Sequence, residues 1–98
     1  MDIDFLLHGI SFVWHKDKAG QNVRKHGITF EQAAEVFFDP FLLIVDASQN
    51  EEERDAIIGM DRKWNLLFVV HIEIEGDKIR IISAREATSQ ERLHYENG

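Results

Sequence analysis

Residues 64–84 of the chain read WNLLFVVHIEIEGDKIRIISA, two apolar runs on either side of the dipeptide Gly76-Asp77. This pattern is typical of a β-hairpin with a two-residue type II′ turn, in which glycine takes the first central position. A turn of that length fixes which residues face each other across the strands, so Ile72 is predicted to lie opposite Ile81. The second half of the chain is therefore predicted to be built around an antiparallel sheet.

The same register predicts two different faces for the hairpin. Helices are predicted to cover the apolar face, whose residues on the first strand are Trp64, Leu66, Phe68, Val70, Ile72 and Ile74. The other face carries opposite charges, with Glu73 predicted to lie opposite Arg80 and Glu75 opposite Lys78. His71 belongs to this second face. We predict that it stays open to solvent, apart from a contribution from the last helix.

Two helices are predicted before the sheet. The polar stretch 17–26 stops at Gly27, and glycine is common just past the end of a helix. Thr29 and Gln32 fit a capping box, in which their side chains bond to free backbone N–H groups at a helix start. This second helix is predicted to end near residue 38, because the residue before Pro40 is pushed out of the helical region.

The complete set of elements predicts the fold class. The predicted strands are residues 10–14, 41–46, 54–60, 64–74 and 78–84, and a capping box from Thr88 to Glu91 begins a short last helix through Tyr95. The predicted class is α+β with two layers, an N-terminal strand and two helices packed on an antiparallel sheet, followed by a short C-terminal helix. By length, residues 1–98 are predicted to form a single domain.

Composition limits the class of protein. With 44% hydrophobic residues, one Pro and six Gly, the 98-residue chain can bury a core. No apolar run approaches the ~20 residues that span a bilayer, and the amino terminus lacks the basic start and cleavage site of a secretory signal. We therefore expect a cytoplasmic protein with no membrane association. The absence of Cys excludes disulfides and thiolate chemistry.

The net charge of −7 is unevenly distributed. Residues 31–61 hold nine acidic side chains and a single basic one, whereas the flanking segments are near neutral. The flanks contain two basic clusters, Arg24-Lys25-His26 and Arg80 with Arg85, whose charge suits RNA phosphate. The acidic middle segment is either a surface for a basic protein partner or only a solubilising surface.

Three groups on the predicted open face suit the cleavage of RNA. Without a metal ion, this reaction needs a base for the 2′-hydroxyl, a cation for the charge that builds on phosphorus and an acid for the leaving oxygen. Histidine, here His71, is a residue type that titrates near neutrality, and arginine, here Arg80, can bind phosphate through two N–H groups. Glu73 is predicted to lie beside them. A plain surface ion pair beside a histidine is the alternative. The spacing of the five His fits no metal-ligand motif, so neither a metal nor a cofactor is expected.

Several motifs, in order along the chain, resemble the BrnT family of toxins. Residues 12–33, FVWHKDKAGQNVRKHGITFEQA, are similar to the family's opening, which typically has Trp-Asp, a Lys four residues after the Trp, an Asn four further on, then Lys-His-Gly and Ser-Phe-Glu-Glu-Ala. The later motifs that resemble the family are Asp39-Pro40, Glu53-Arg54, Ile58-Gly59, residues 79–85, Ala87-Thr88, Glu91-Arg92 and Tyr95. The resemblance covers residues 12–96. It departs at His15, where the family usually has Asp, and at residues 1–11, which extend beyond the usual start.

This resemblance implies a RelE-like α+β fold and a metal-independent endoribonuclease that inhibits growth by cleaving RNA. It also implies a cognate ribbon-helix-helix antitoxin of the BrnA kind, which masks the active face and alone carries the complex to operator DNA. The alternative is a degenerate, non-catalytic toxin that acts as antitoxin partner or co-repressor.

Candidate site residues also follow from the resemblance. His71 or His26 is the implied base or acid, with Lys25 beside His26, and Tyr95 is a stacking or proton-relay group. Arg80 and Arg85 complete the implied catalytic set. The implied RNA-binding residues are Arg24, Lys25, Arg80, Ser83 and Arg85. Strict alternation along the last strand puts Arg85 and Arg80 on opposite faces, unless the strand ends or bulges at Ser83.

Overall fold

A computed structural model describes residues 1–46 and 54–98 of the chain. Its elements are β1 (Asp2–Leu7), β2 (Ile10–His15), α1 (Lys16–His26), α2 (Phe30–Val36), β3 (Leu43–Asp46), β4 (Asp55–Met60), β5 (Leu66–Ile74), β6 (Lys78–Glu86) and α3 (Ser89–Asn97). Within these ranges the strands form one sheet in the order β1-β2-β6-β5-β4-β3. Only the β2–β6 pair is parallel in the part of the sheet that is described. The predicted α+β class is confirmed, and no helix in the described ranges is long and apolar enough to cross a membrane.

Helices α1 and α2 cover one face of the sheet, which we call the core face. Both predicted helix signals are confirmed: Gly27 adopts the left-handed conformation at the end of α1, and Thr29 and Gln32 form the capping box of α2. Helix α2 inserts Phe30, which is fully buried and stacks edge-on against Trp14 at 5.8 Å between ring centroids. The core therefore lies between α2 and the centre of the sheet.

The face of β5 that the helices cover is the opposite of the predicted one. Leu67 and Val69 belong to the core cluster, whereas Phe68 and Val70 are only half-buried on the other face, which we call the second face. The prediction was wrong because residues 66–70 are apolar on both sides of the strand, so alternation cannot indicate which side is the core. Helix α3 lies on the second face and contacts β4 there.

The predicted register of the β5–β6 hairpin is wrong next to the turn. Ile74 pairs with Lys78 across a three-residue connection in which Gly76 and Asp77 both have positive φ. The two-residue turn is therefore absent, and the partner of Glu73 is Ile79 instead of Arg80. Since aspartate tolerates the left-handed conformation better than most residues, this Gly-Asp dipeptide also suits the longer turn.

A β-bulge in β6 then restores the predicted register. His71 pairs with Ile81, but Val70 pairs with Ser83, so Ile82 is an extra residue on β6. From Ser83 onward, the β6 residues face the partners that the sequence predicts. A bulge of this kind places two residues of one strand opposite one residue of the other and changes which side chains share a face.

Residues 1–11 were predicted only as an extension, and in the structure they add a strand to the sheet. Strand β1 pairs with β2 through a tight turn at His8 and Gly9. Its apolar residues Ile3, Phe5 and Leu7 pack against the core, with Phe5 in ring contact with Trp14 at 5.6 Å. The alternate residues, including Asp2, point to the second face by strand periodicity.

His15, the departure from the family pattern, caps helix α1. Its Nδ1 accepts a hydrogen bond of 3.2 Å from the backbone N–H of Asp17. Aspartate, which the family usually has at this position, is a preferred residue for the same role. The substitution therefore replaces one N-cap acceptor by a less common one.

We expect His15→Ala to lower the free energy of unfolding by about 0.5–1 kcal/mol, because a backbone N–H of α1 loses its acceptor. His15→Asn should retain or exceed wild-type stability, since the amide oxygen is a better cap. Urea unfolding of the three proteins checks this ranking. Equal stability of His15→Ala and the wild type would mean that the cap contributes nothing.

Candidate functional site

The second face gathers the basic and polar residues of β6. The bulge at Ile82 puts Arg80, Ser83 and Arg85 on this same face, because it shifts the alternation by one residue. The sequence left open whether Arg80 and Arg85 share a face. The structure has a bulge in β6, so the two arginines lie on the same face. All three side chains are half-buried. We call Lys78, Arg80, Ser83 and Arg85 the β6 row.

Arg80 is held by the N-terminal strand. Its Nη2 donates to Oδ2 of Asp2 at 3.0 Å, and its Nη1 donates to Oδ1 of the same carboxylate at 3.4 Å. The Arg80 guanidinium holds the pKa of Asp2 below its usual value. Lys78, one step along the same face, lies 3.5 Å from Oδ1 of Asp4. Val13, between these pairs in the register, is only 4% exposed.

Arg85 connects the sheet to helix α3. Its Nη1 and Nη2 donate to the two carboxylate oxygens of Glu91 at 2.7 and 2.9 Å, and its guanidinium lies 4.3 Å from the ring centroid of Phe68. The hydrogen bond raises the pKa of Arg85 and lowers the pKa of Glu91. Glu91 also completes the capping box of α3 with Thr88. One carboxylate thus orients the guanidinium and the helix start together.

Tyr95 lies one helical turn beyond Glu91 and makes the second attachment of α3. Its hydroxyl donates a 2.6 Å hydrogen bond to Oδ2 of Asp39. Burial, together with this carboxylate, raises the pKa of Tyr95 to about 12. The phenol therefore keeps its proton at neutral pH, which suits hydrogen-bond donation or base stacking and does not suit a general base.

The acceptor, Asp39, is a junction between three segments. Its carboxylate also accepts hydrogen bonds from the backbone N–H groups of Phe41 and Met60. Burial raises the pKa of Asp39, but the bonds from Tyr95, Met60 and Phe41 outweigh it and hold the pKa below its usual value. A carboxyl group whose pKa is lower in the folded than in the unfolded protein stabilises the fold at pH values above its unfolded pKa. This stabilisation is lost as the pH falls through the folded pKa.

Tyr95→Phe should lower the free energy of unfolding at pH 7 by about 1 kcal/mol, because the charge-assisted bond to Asp39 is lost. The difference from wild type should shrink below about pH 4, where the carboxylate of Asp39 becomes protonated in both proteins. Denaturant unfolding between neutral and acid pH measures it. Arg92→Ala, an exposed change on the same helix, should show no such pH-dependent loss. A Tyr95→Phe difference that is constant with pH would contradict the charged acceptor.

His71 does not lie on the open face, so its predicted placement was wrong. It is 7% exposed on the core face and contacts the ring of Phe37 edge-on at 4.9 Å. Burial lowers the pKa of His71, opposed by the charge of Asp55. Its Nδ1 has no hydrogen-bond partner among the described residues. The prediction for His71 failed for the reason given above, because the helices cover the face of β5 that was predicted to be open.

The basic cluster of α1 stands apart from the β6 row. Arg24 and Lys25 are exposed and His26 is half-buried in the last turn of the helix, where the helix dipole favours cations. Helix α1 belongs to the core-face layer, and no contact in the described ranges joins its cluster to Arg80 or Arg85. The structure therefore brings together Arg80, Ser83 and Arg85, with Glu91 of α3 bound to Arg85. Tyr95 is bonded to Asp39 instead, and residues 24–26 are separate from the row.

Sequence reasoning did not identify Asp2 or His15 as groups near the β6 row. Asp2 contacts Arg80, and its pKa is also lowered by the charge of His15, which is its direct partner across β1 and β2. The alternation Asp-Ile-Asp-Phe at residues 2–5 was the available signal for a strand with acids on one face. No group of three or more His, Cys, Asp or Glu in the described part of the chain is placed to hold a metal ion.

Comparison with known proteins identifies the relatives. The family described as ribonuclease toxin, BrnT, of type II toxin-antitoxin systems matches residues 14–91. The 1.1 Å crystal structure of the Brucella abortus ribonuclease toxin BrnT has the same fold, with a TM-score of 0.61 at 19% identity over 78% of this chain and 94% of that chain. No curated protein sequence matches the chain. The match of fold and of most of the sequence shows that this chain belongs to the BrnT family of ribonuclease toxins of type II toxin-antitoxin systems.

Proposed function

We propose that this chain is a toxin that inhibits growth as a metal-independent endoribonuclease, that the second face of its sheet binds and cleaves RNA, and that a cognate antitoxin neutralises it. The proposal is supported by the family membership and by one observation above all. The bulge at Ile82 sets Arg80, Ser83 and Arg85 side by side on a face that α1 and α2 leave uncovered. Two guanidinium forks and a hydroxyl form a row suited to phosphate.

The proposed roles follow from the chemistry of each group. Arg80 and Arg85 bind the scissile phosphate and stabilise the charge that builds on it, and Ser83 donates a hydrogen bond. Tyr95, which stays protonated, donates a hydrogen bond or stacks on a base. Arg24 and Lys25 lie apart from this row, and we propose that they form a second cationic surface that attracts RNA by charge.

The proton of the 2′-hydroxyl needs a group that titrates near neutrality. The resemblance offers His71, which is buried, and His26, which is half-buried at the end of α1 and lies apart from the β6 row. The structure adds His15, which borders the second face next to Asp2. The pH dependence of cleavage by His26→Asn and His15→Asn separates the two, and the second variant keeps the helix cap.

A non-catalytic binding module is the second candidate function. Both guanidinium groups are already paired with carboxylates of the chain itself, Arg80 with Asp2 and Arg85 with Glu91. Each carboxylate competes with phosphate for its arginine. A degenerate toxin retained as a co-repressor would not need these arginines for RNA and would tolerate the pairs. Catalysis in the isolated chain decides between the two functions.

The test is to express the chain alone in a bacterium and to follow growth and RNA integrity. We expect growth arrest with fragmented RNA, and cleavage by the purified protein that persists in EDTA. Loss of cleavage on chelation would contradict the metal-free mechanism. An intact RNA pool together with a stable complex with the antitoxin would support the binding module.

The proposed antitoxin is a basic ribbon-helix-helix protein of the BrnA kind, which alone contacts operator DNA. The proposed location of the toxin is the cytoplasm.

Part of the acidic segment 31–61 has a structural role. Asp61 is buried and accepts hydrogen bonds from the backbone N–H groups of Lys63 and Asn65. Glu31 and Asp55 are exposed and remain available for charge complementarity. Glu51 and Glu52, which the sequence also assigns to this surface, lie outside the described residues.

A further inference from the structure

We propose that strand β1 restrains RNA binding: the carboxylates of Asp2 and Asp4 occupy the two cations at one end of the β6 row, and RNA has to displace them. This inference rests on the proposed function, and it adds a built-in competitor for phosphate at the same face. The residues that carry it are the two ion pairs, Asp2 with Arg80 and Asp4 with Lys78.

The geometry of the Arg80 pair is that of a competitor. Asp2 accepts from both terminal nitrogens of the guanidinium, at 3.0 and 3.4 Å. A phosphate that binds end-on to the guanidinium uses the same two nitrogens. Arg80 therefore cannot make this end-on contact to RNA while Asp2 holds it in this way.

The sheet register makes this placement systematic. Asp4 is in register with Val13 and Arg80, and Asp2 lies two residues before Asp4 on the same face of β1. Each acid therefore reaches its cation diagonally across β2, with the same offset in both pairs. The apolar residues between the acids, Ile3 and Phe5, pack on the core. Strand β1 is thus attached by its apolar side, and its acidic side is free to act on the cations.

The acids and the cations differ in how they relate to the family. Lys78 and Arg80 lie inside the region that matches the family, whereas β1 lies entirely before it. The acids thus lie on a strand that precedes the region matched by the family model, and the cations lie within that region.

The experiment measures binding of a short single-stranded 2′-O-methyl RNA, which cannot be cleaved through its 2′-oxygen. Wild type is compared with Asp2→Asn/Asp4→Asn and with a control of equal charge change, Asp77→Asn/Glu96→Gln, whose two positions are exposed and outside β1. Fluorescence anisotropy at several salt concentrations gives the affinity and its salt slope. Thermal unfolding of each variant verifies the fold, and the single variant Asp2→Asn serves if the double variant is unstable.

We expect Asp2→Asn/Asp4→Asn to bind RNA about three- to tenfold more tightly at low salt, because two surface ion pairs no longer oppose binding. The salt slope should steepen by up to about 1.4, since two cations become available and each additional phosphate contact on a single strand adds ~0.7. The control should gain less than twofold. Adding Arg80→Ala to the β1 variant should abolish most of the gain.

Equal affinity gains in the β1 variant and the control would overturn the inference, and so would a gain that survives Arg80→Ala. Failure of the proposed function looks different, because Arg80→Ala alone would then leave RNA binding unchanged. If Arg80→Ala weakens binding while the loss of both acids does not strengthen it, only the role of β1 is refuted.

Discussion

Arg80→Ala is expected to lower the rate of RNA cleavage by about 100-fold, the usual effect of removing one group that stabilises charge in a transition state. Growth arrest on expression should weaken accordingly. The change should leave the fold intact, because the Arg80–Asp2 pair is at the surface and such pairs contribute little to stability. Cleavage of a labelled RNA by purified protein, with thermal unfolding in parallel, measures both effects.

A matched control for this variant is Arg62→Ala. Arg62 is exposed in the β4–β5 turn, and its removal changes the net charge by the same amount. We expect near-wild-type cleavage from the control. Unfolding of Arg80→Ala would assign Arg80 a structural role and remove the support for phosphate binding, and equal activity of both variants would place the RNA site elsewhere.

The largest expected effect on stability belongs to Asn22→Ala. Asn22 is buried in α1, where its Nδ2 donates to the carbonyls of Ile28 and Ala84 and its Oδ1 accepts from the Ala84 N–H. These bonds satisfy the edge of β6 beyond the end of its pairing with β2. Alanine leaves three buried backbone groups unpaired, at a cost of about 3 kcal/mol. The melting temperature should fall by about 10–20 °C.

Two variants sharpen this test. Asn22→Asp keeps an acceptor for the Ala84 N–H but buries a carboxylate with one oxygen against the carbonyls of Ile28 and Ala84, so its stability should be no higher than that of the alanine variant. Gln21→Ala changes the exposed neighbour on the same helix and should have little effect. If Asn22→Ala were as stable as Gln21→Ala, the asparagine would not hold α1 to the sheet.

For the candidate site, the sequence was informative about β6 and misleading about β5. Arg80, Ser83 and Arg85 were found from motifs that resemble the family, and they lie together on the second face. His71 was placed on the wrong face because the apolar run of β5 has no polar side. Asp2 was missed because its partner is 78 positions away along the chain.

The sequence by itself determined the features that depend on neighbouring residues and on the order of motifs along the chain. The ends of α1 and α2 follow from Gly27, Thr29 and Gln32, whose interactions span a few residues of chain. The α+β class and the family follow from the order of the elements and motifs, which needs no distances.

Only the tertiary structure decided which side of the sheet is the core, where β6 bulges, and which partners the polar groups take. The contacts that carry this information join residues far apart: Tyr95 to Asp39 across 56 positions, and Asn22 to Ala84 across 62. Local propensity cannot encode them, because each forms only when packing brings separate segments together. The physical reason is that a strand with apolar residues on both sides can be buried either way, and helix packing makes the choice.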